Sequence, residues 1–136
     1  MGRSAEARNL ETVEAGYDDF AARDLDSVLG FFDPDIEWIV AEGFPYGGTY
    51  HGPEAVRTGV FENLAESVAE FEVIPDRFID AGQTVVVLGR YNGVSGETGK
   101  AFTDVPWAHV WDFEDGMAVR FQQYTDTALV QAALTD

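Results

Sequence analysis

PWAHVWDFEDGMAVRFQQYTDT, from Pro106 to Thr127, is typical of two long β-strands joined by a tight turn. Alternate side chains of a strand lie on the same face of the sheet. One face of the first strand carries large rings: Trp107, His109, Trp111 and Phe113. One face of the second strand carries polar side chains: Gln122, Tyr124 and Asp126. The two rows predict a proton-carrying site surrounded by aromatic residues.

Working outward from this hairpin, the chain alternates between strand-like segments and turns. Four consecutive segments have the aromatic and β-branched character of strands: 70–82, 83–95, 100–116 and 117–127. The turn residues AGQ, GETG and EDG separate them. An earlier strand is predicted over Asp35–Gly43, and the glycine-containing loop FPYGGTYHG follows it.

Apolar residues at helical spacing predict the remaining elements. A first helix contains Leu10, Val13, Tyr17 and Phe20, and a second contains Leu25, Val28, Leu29 and Phe32, before Asp33 and Pro34 stop it. A third helix begins at Gly52 and Pro53 and runs to about Ala69, and a short closing helix spans Thr127–Leu134. Helices followed by hairpins indicate an α+β fold, with the helices on one face of a curved antiparallel sheet.

Composition limits the possible functions. The chain has 136 residues, 46% of them hydrophobic and 13% aromatic, which suits one domain with a packed core over 1–136. Twenty-five acidic and eight basic residues give a formal net charge of -17, so nucleic acid and anionic membranes are poor partners. We expect a surface adapted to high salt, and therefore a melting temperature that falls as salt is removed.

Other features of the composition exclude whole classes of site. The sequence has no cysteine, which rules out thiolate catalysis and thiolate metal ligands. Its two histidines, His51 and His109, lie far apart, and we expect no metal and no cofactor. No phosphate loop or nucleophile elbow occurs. Without a signal-peptide pattern or a stretch of about 18 apolar residues, a cytoplasmic location is expected.

Three segments carry a family resemblance: YDDFAARDLDSVLGFFDPDIEW from Tyr17, YHGPEAV from Tyr50, and HVWDFEDGMAVRFQQYTD from His109. Together they resemble the SnoaL-like branch of the nuclear transport factor 2-like (NTF2-like) superfamily. The resemblance implies a cone-shaped α+β barrel around an apolar pocket, often in a homodimer. It leaves the function open, because this fold hosts isomerases, cyclases, epoxide hydrolases, and binding or assembly modules.

The resemblance also allows catalytic positions to be compared. The tyrosine, base and acid of the steroid isomerases correspond to Gly16, Val40 and His109, so the base is missing and the acid is replaced. The arginine and two aspartates of the limonene epoxide hydrolase type correspond to Arg90, Asp126 and Asn92, so one carboxyl group is missing. The polyketide cyclases use one pocket aspartate, and the resemblance implies that Asp126, on the last strand, is the candidate for such a carboxylate.

These comparisons lead to a hypothesis of cofactor-free proton transfer on a small lipophilic carbonyl compound. Asp126 would be the base, His109 the acid or oxyanion donor, and Arg90 would tune Asp126. Substrate contacts are expected from aromatic and amide side chains: Tyr124, Gln122, Asn92, Trp38, Tyr46 and Trp107.

Each of these roles has a structural alternative. Asp126 could accept hydrogen bonds from the start of the closing helix, and His109 could be a core histidine. The whole protein could bind a hydrophobic molecule without chemistry, or act as an assembly module with a filled pocket. A cavity of about 300 Å³ or more would favour the enzyme and the binding protein over the assembly module. His109 and Asp126 within about 3.2 Å of each other, directly or through one water, would then favour the enzyme.

Overall fold

The computed structural model describes residues 5–135, which form five helices, one helical turn of wider pitch and six strands. In chain order the elements are α1 Ala5–Ala21, α2 Leu25–Leu29, β1 Phe32–Val40, β2 Gly48–His51, α3 Pro53–Val56, a π-helical turn Arg57–Phe61, α4 Glu62–Ser67, β3 Val68–Ala81, β4 Thr84–Ser95, β5 Ala101–Glu114, β6 Met117–Thr125 and α5 Thr127–Leu134.

The six strands form a single curved sheet in the order β2, β1, β6, β5, β4, β3. Neighbouring strands are antiparallel, apart from β1 and β6, which are parallel. The prediction of an α+β fold with N-terminal helices on a curved sheet is confirmed, and the sheet is mixed. It is not closed into a complete barrel.

Alternation along the long strands determines which face of the sheet is covered. In β4 buried and half-buried residues alternate over all twelve positions, and one face of β5 is buried from Val105 to Phe113. This pattern is expected for a sheet with one face on a core. Helix α1 packs against β3 and α2, and its Val13 and Tyr17 side chains join that core. The face toward α1 is called the inner face below.

The first strand begins earlier than the sequence predicted. Phe32 was expected in the second helix, but α2 ends at Leu29 and Phe32 pairs with Ala118 of β6. The β1–β6 ladder is irregular between Phe32 and Glu37, which accommodates Pro34, a residue with no N–H to donate. The side chain of Asp33 accepts a hydrogen bond from the Asp35 N–H. This local bond therefore satisfies one N–H group in the stretch where the ladder is interrupted.

The other boundaries differ in smaller ways. The loop after β1 contains the four-residue strand β2, which pairs antiparallel with β1 and was not predicted. The third helix ends at Ser67 instead of Ala69, and the π-helical turn interrupts it. The four predicted strands and the closing helix are confirmed. Among residues 5–135, no helix combines the length and the apolar composition that crossing a membrane requires.

Candidate functional site

A cavity of about 80 Å³ lies between α1, the π-helical turn and the inner face of the sheet. Its walls are largely aromatic and aliphatic, with Trp38, Phe61 and Phe121 among them. Among the residues that the structure describes, no Asp, Glu, Lys or Arg belongs to the lining. The cavity is smaller than the roughly 300 Å³ at which typical ligand pockets start, and a cavity of about 150 Å³ holds benzene. At about half the volume of that benzene-binding cavity, it takes a compact apolar group only when a neighbouring side chain moves aside.

The polar part of the cavity wall is centred on His109. This residue is 4% exposed and comes from the middle of β5. Its Nδ1 atom lies 2.5 Å from the Tyr17 hydroxyl oxygen, and its Nε2 atom lies 2.6 Å from the Tyr91 hydroxyl oxygen. Tyr17 comes from α1 and Tyr91 from β4, and both line the cavity. The imidazole thus joins two tyrosines from different elements.

Each of the two tyrosine oxygens also accepts a hydrogen bond from another side chain. The Trp111 indole N–H donates to the Tyr17 oxygen over 3.1 Å, and the Gln123 amide donates to the Tyr91 oxygen over 2.8 Å. The Gln123 carbonyl oxygen in turn accepts the Ala41 N–H over 3.0 Å. We refer to Tyr17, His109, Tyr91 and Gln123 as the inner network. Each polar atom of the network therefore has at least one hydrogen-bond partner.

The inner network contains one O–H proton that none of its own members accepts. A neutral imidazole carries one N–H, so it donates to one tyrosine and accepts from the other. The tyrosine that accepts from His109 already accepts from Trp111 or Gln123, and both of its lone pairs are then used. Its own O–H proton has no place in the network. In either tautomer, one hydroxyl that lines the cavity therefore has a proton available for a ligand.

Burial keeps the inner network neutral. It lowers the pKa of His109 well below its usual value, because the imidazolium form would lose its hydration. It likewise raises the pKa of Tyr17 and Tyr91 above the usual tyrosine value, although the Trp111 and Gln123 hydrogen bonds act in the opposite direction. An imidazole between two phenols is thus the form present near neutral pH.

Asp126 lies outside the cavity. It is exposed at the N-terminus of α5, where its carboxylate accepts the Leu129 N–H over 3.3 Å. This is the structural alternative considered from the sequence. The two nitrogens of His109 are both engaged by tyrosines, so the structure does not bring Asp126 and His109 together. The predicted acid–base pair is therefore replaced by a different arrangement.

Arg90 and Asn92 lie on the opposite, outer face of β4. The Arg90 guanidinium forms ion pairs with Asp76 at 2.9 Å and with Asp104 at 3.1 Å, and it does not reach Asp126. The hydrogen bond from Arg90 lowers the pKa of Asp76. Asn92 donates to Glu72 and accepts the Asp104 N–H. These residues stabilise the surface of the sheet and do not line the cavity.

The predicted substrate contacts divide into two groups. Trp38 lines the cavity and stacks on Phe121 with ring centres 3.7 Å apart. Trp107 is not among the lining residues, but its ring stacks on that of His109 with the ring centres 3.8 Å apart. Its indole N–H has no hydrogen-bond partner among residues 5–135. Three others lie away from the cavity: Tyr124, which is 52% exposed, Gln122, which accepts from Arg120, and Tyr46, which is hydrogen-bonded to Ser67.

The register between β5 and β6 explains why the wrong side of β6 was predicted. His109 pairs with Gln123, and Trp111 pairs with Phe121. Gln122 pairs instead with Val110 of the outer face. A shift of one residue transfers every side chain of a strand to the other face.

Sequence reasoning missed three members of the inner network. Gln123 stands next to the predicted Gln122, and Tyr17 stands next to Gly16, the position compared with the isomerase tyrosine. Tyr17 had been assigned to the apolar side of the first helix. Tyr91 lies between Arg90 and Asn92, which were both predicted, and the alternation of β4 could have identified it.

No group of three or more His, Cys, Asp or Glu side chains within the described part of the chain could hold a metal ion. The polar side-chain groups of the cavity lining are tyrosine hydroxyls, one imidazole, one amide and tryptophan indole N–H groups. Their chemistry is hydrogen bonding and proton exchange.

Comparison with known proteins places this geometry in context. A family model described as the SnoaL-like domain matches residues 13–121. An NTF2-like protein from Burkholderia thailandensis is similar over 94% of this chain and 98% of its own, with 35% identity and a TM-score of 0.91. TerC, co-crystallised with polyporic acid, is 28% identical, with a TM-score of 0.84 over 93% of this chain and 98% of its own. None of the curated proteins matches the chain significantly.

Proposed function

The chain belongs to the SnoaL-like domain family of NTF2-like folds, and from that premise we propose that it binds a small lipophilic carbonyl compound and catalyses cofactor-free proton transfer on it. The fold alone supports many activities, so the proposal depends on the site. The observation that carries it is the available tyrosine proton of the inner network beside an apolar cavity. In such surroundings a hydroxyl aimed at a carbonyl oxygen acts more strongly than it would in water.

The inner network can also move a proton without creating a charge. The relay starts from the tautomer of His109 that carries its proton on Nε2. The Tyr91 hydroxyl gives its proton to the ligand oxygen, and the Tyr91 oxygen then takes the proton from Nε2. Nδ1 of His109 then takes the proton of Tyr17, and the Tyr17 oxygen takes an acidic proton from the ligand. The ligand loses one proton and gains one, and His109 changes tautomer. Tyr17 thus replaces Asp126 as the proton acceptor, which suits a cavity whose described lining residues include no carboxylate.

Binding without chemistry is the second candidate. It is favoured by the lining of the cavity, whose described residues include no Asp, Glu, Lys or Arg and therefore no strong base beside the ligand. The similarity to TerC supports a small-molecule pocket in either case. The 80 Å³ volume is also compatible with an assembly module whose interior is nearly filled.

Cyclopentanone tests the proposed function, because it is a compact ketone with acidic α-protons. In D₂O, NMR measures α-proton exchange, and quenching of Trp38 and Trp111 fluorescence measures binding. We expect Tyr17→Phe and Tyr91→Phe each to slow exchange about 100-fold. Tyr124→Phe removes an exposed hydroxyl from the outer face and is the matched control, expected to behave as wild type.

The outcomes separate the candidates. Binding that Tyr17→Phe or Tyr91→Phe weakens, without exchange above the buffer rate, supports the binding protein. Unchanged exchange in both variants contradicts the proton-transfer mechanism. The homodimer and the cytoplasmic location remain proposals, which light scattering and cell fractionation would check.

A further inference from the structure

A second depression lies on the other side of one cavity residue, Phe71. It is a surface groove of about 520 Å³ with a more polar lining, which includes Arg23, Glu72 and Asn92. Phe71 belongs to the lining of both spaces. Its half-buried ring therefore stands as the partition between the apolar cavity and the polar groove.

The backbone around Phe71 is irregular. In the ladder between β3 and β4, Ala69 pairs with Val94 and Glu72 with Asn92, so Glu70 and Phe71 together face the single residue Gly93. This is a β-bulge, and Glu70 has the left-handed φ of 52°. Bulges occur where a strand must re-aim a side chain. The bulge at Glu70 and Phe71 turns the phenyl ring toward Tyr91.

Contact with Tyr91 couples the ring to the inner network. The Phe71 and Tyr91 ring centres are 5.4 Å apart, with the planes tilted by 33°. Rotation of the Phe71 side chain away from Tyr91 would join the cavity and the groove. The joined space falls within the range of about 300–1,000 Å³ found for small-molecule sites, which the cavity alone does not reach.

We propose that Phe71 is a gate, and that the complete binding site takes an elongated, uncharged molecule. Its apolar end carries the carbonyl group and enters the cavity beside Tyr91. This placement of the carbonyl group rests on the proposed function. Its other end carries a hydroxyl or amide and lies in the groove. A hydroxyl or amide fits the groove because it can donate to the carboxylates of Glu70 and Glu72, which lie in the lining with Arg23, and the net charge of -17 disfavours anions.

Quenching by acrylamide tests the gate without any ligand. All three tryptophans, Trp38, Trp107 and Trp111, are buried, and two of them line the cavity. Phe71→Ala removes the partition and should raise the quenching constant about threefold, with Phe71→Leu intermediate. Val73→Ala is the matched control, since Val73 is on the same strand and lines only the cavity. Equal quenching in Phe71→Ala and Val73→Ala would overturn the gate.

Two ketones test the extended site. Wild type should bind 3-(4-hydroxybutyl)cyclopentanone about tenfold more tightly than cyclopentanone, because only the longer ketone reaches the groove. Asn92→Ala should reduce that difference and leave the affinity for cyclopentanone unchanged. Equal affinities in wild type would reject the extended site. If neither ketone binds, the carbonyl function fails and the extended site with it, while the acrylamide result still decides the gate.

Discussion

Both faces of the β5–β6 hairpin carry a glutamine and an aromatic residue on β6, but these residues have different roles on the two faces. The inner face holds His109 and Gln123 among tryptophans and phenylalanines, and their hydrogen bonds go to other buried side chains. The outer face holds Gln122 and Tyr124, which are half-buried or exposed. Glutamines at 122 and 123 are neighbours in the chain, yet only Gln123 reaches the inner network.

The difference teaches that residue type alone does not identify a site on a β-strand. Residues of one type on the two faces meet different dielectric surroundings, and a polar group is costly to leave unpaired only on the buried face. Substitutions at matched positions of the two faces should therefore have very unequal effects.

Aromatic truncation on β6 should give the largest contrast. Phe121 is buried against Trp38, whereas Tyr124 is 52% exposed. Phe121→Ala should lower the free energy of unfolding by about 3–5 kcal/mol, and Tyr124→Ala by about 0.5 kcal/mol or less. Urea denaturation of both variants measures the difference. Similar losses would show that the faces are not distinguished by burial.

The two neighbouring glutamines should give the next largest contrast. Gln123→Ala leaves the Ala41 N–H without its partner and removes one hydrogen bond from the Tyr91 hydroxyl, which keeps its bond to His109. It should lower the free energy of unfolding by about 1–3 kcal/mol. Gln122→Ala removes only a hydrogen bond from Arg120 on the outer face, and it should change the free energy of unfolding by about 0.5 kcal/mol or less. A larger loss from Gln122→Ala would contradict the register.

Acid should weaken the inner face specifically. Burial lowers the pKa of His109, so below about pH 6.5 the unfolded chain binds a proton there that the folded protein does not. Stability from this group is therefore complete above about pH 6.5 and is lost as the pH falls, by up to about 1.4 kcal/mol per pH unit. Relative to His109→Gln, wild type should lose that amount in denaturation series at successive pH values. A difference that does not vary with pH would reject the buried neutral imidazole.

The smallest effect is expected at Asp126. Asp126→Ala removes the N-terminal cap of α5 and should lower the free energy of unfolding by about 1 kcal/mol, while Asp126→Asn preserves the cap. Neither variant should change α-proton exchange of cyclopentanone. Loss of exchange in Asp126→Asn with an intact melting temperature would restore the aspartate as the base.

Much of the fold could be predicted from the sequence because periodicity reports secondary structure directly. The long strands, the closing helix and the inner row from Trp107 to Phe113 follow from alternation and turn residues. The short strand β2 could not be predicted, since its pairing with β1 is a tertiary contact. The expectation that the acidic surface requires salt stays a prediction.

The site was less accessible to sequence reasoning. Alternation groups residues by face, but it does not say which face of β6 is buried, because that depends on the register with β5. The partners Tyr17 and Tyr91 come from elements far from His109 in the chain, so only the packed fold brings them together. Both tyrosines stand in sequence patterns of apolar residues, so the sequence indicates core packing and not hydrogen bonding by their hydroxyl groups.

The most direct test of the central claim is the ¹⁵N spectrum of the two imidazoles. His51, exposed on β2, provides the solvent-exposed reference in the same sample. If His109 is a neutral relay between two tyrosines, its ring should show one protonated and one unprotonated nitrogen, or their exchange average, from about pH 8 to about pH 5, more than one unit below the usual histidine pKa. An imidazolium spectrum for His109 that appears near pH 6.5 would contradict the account.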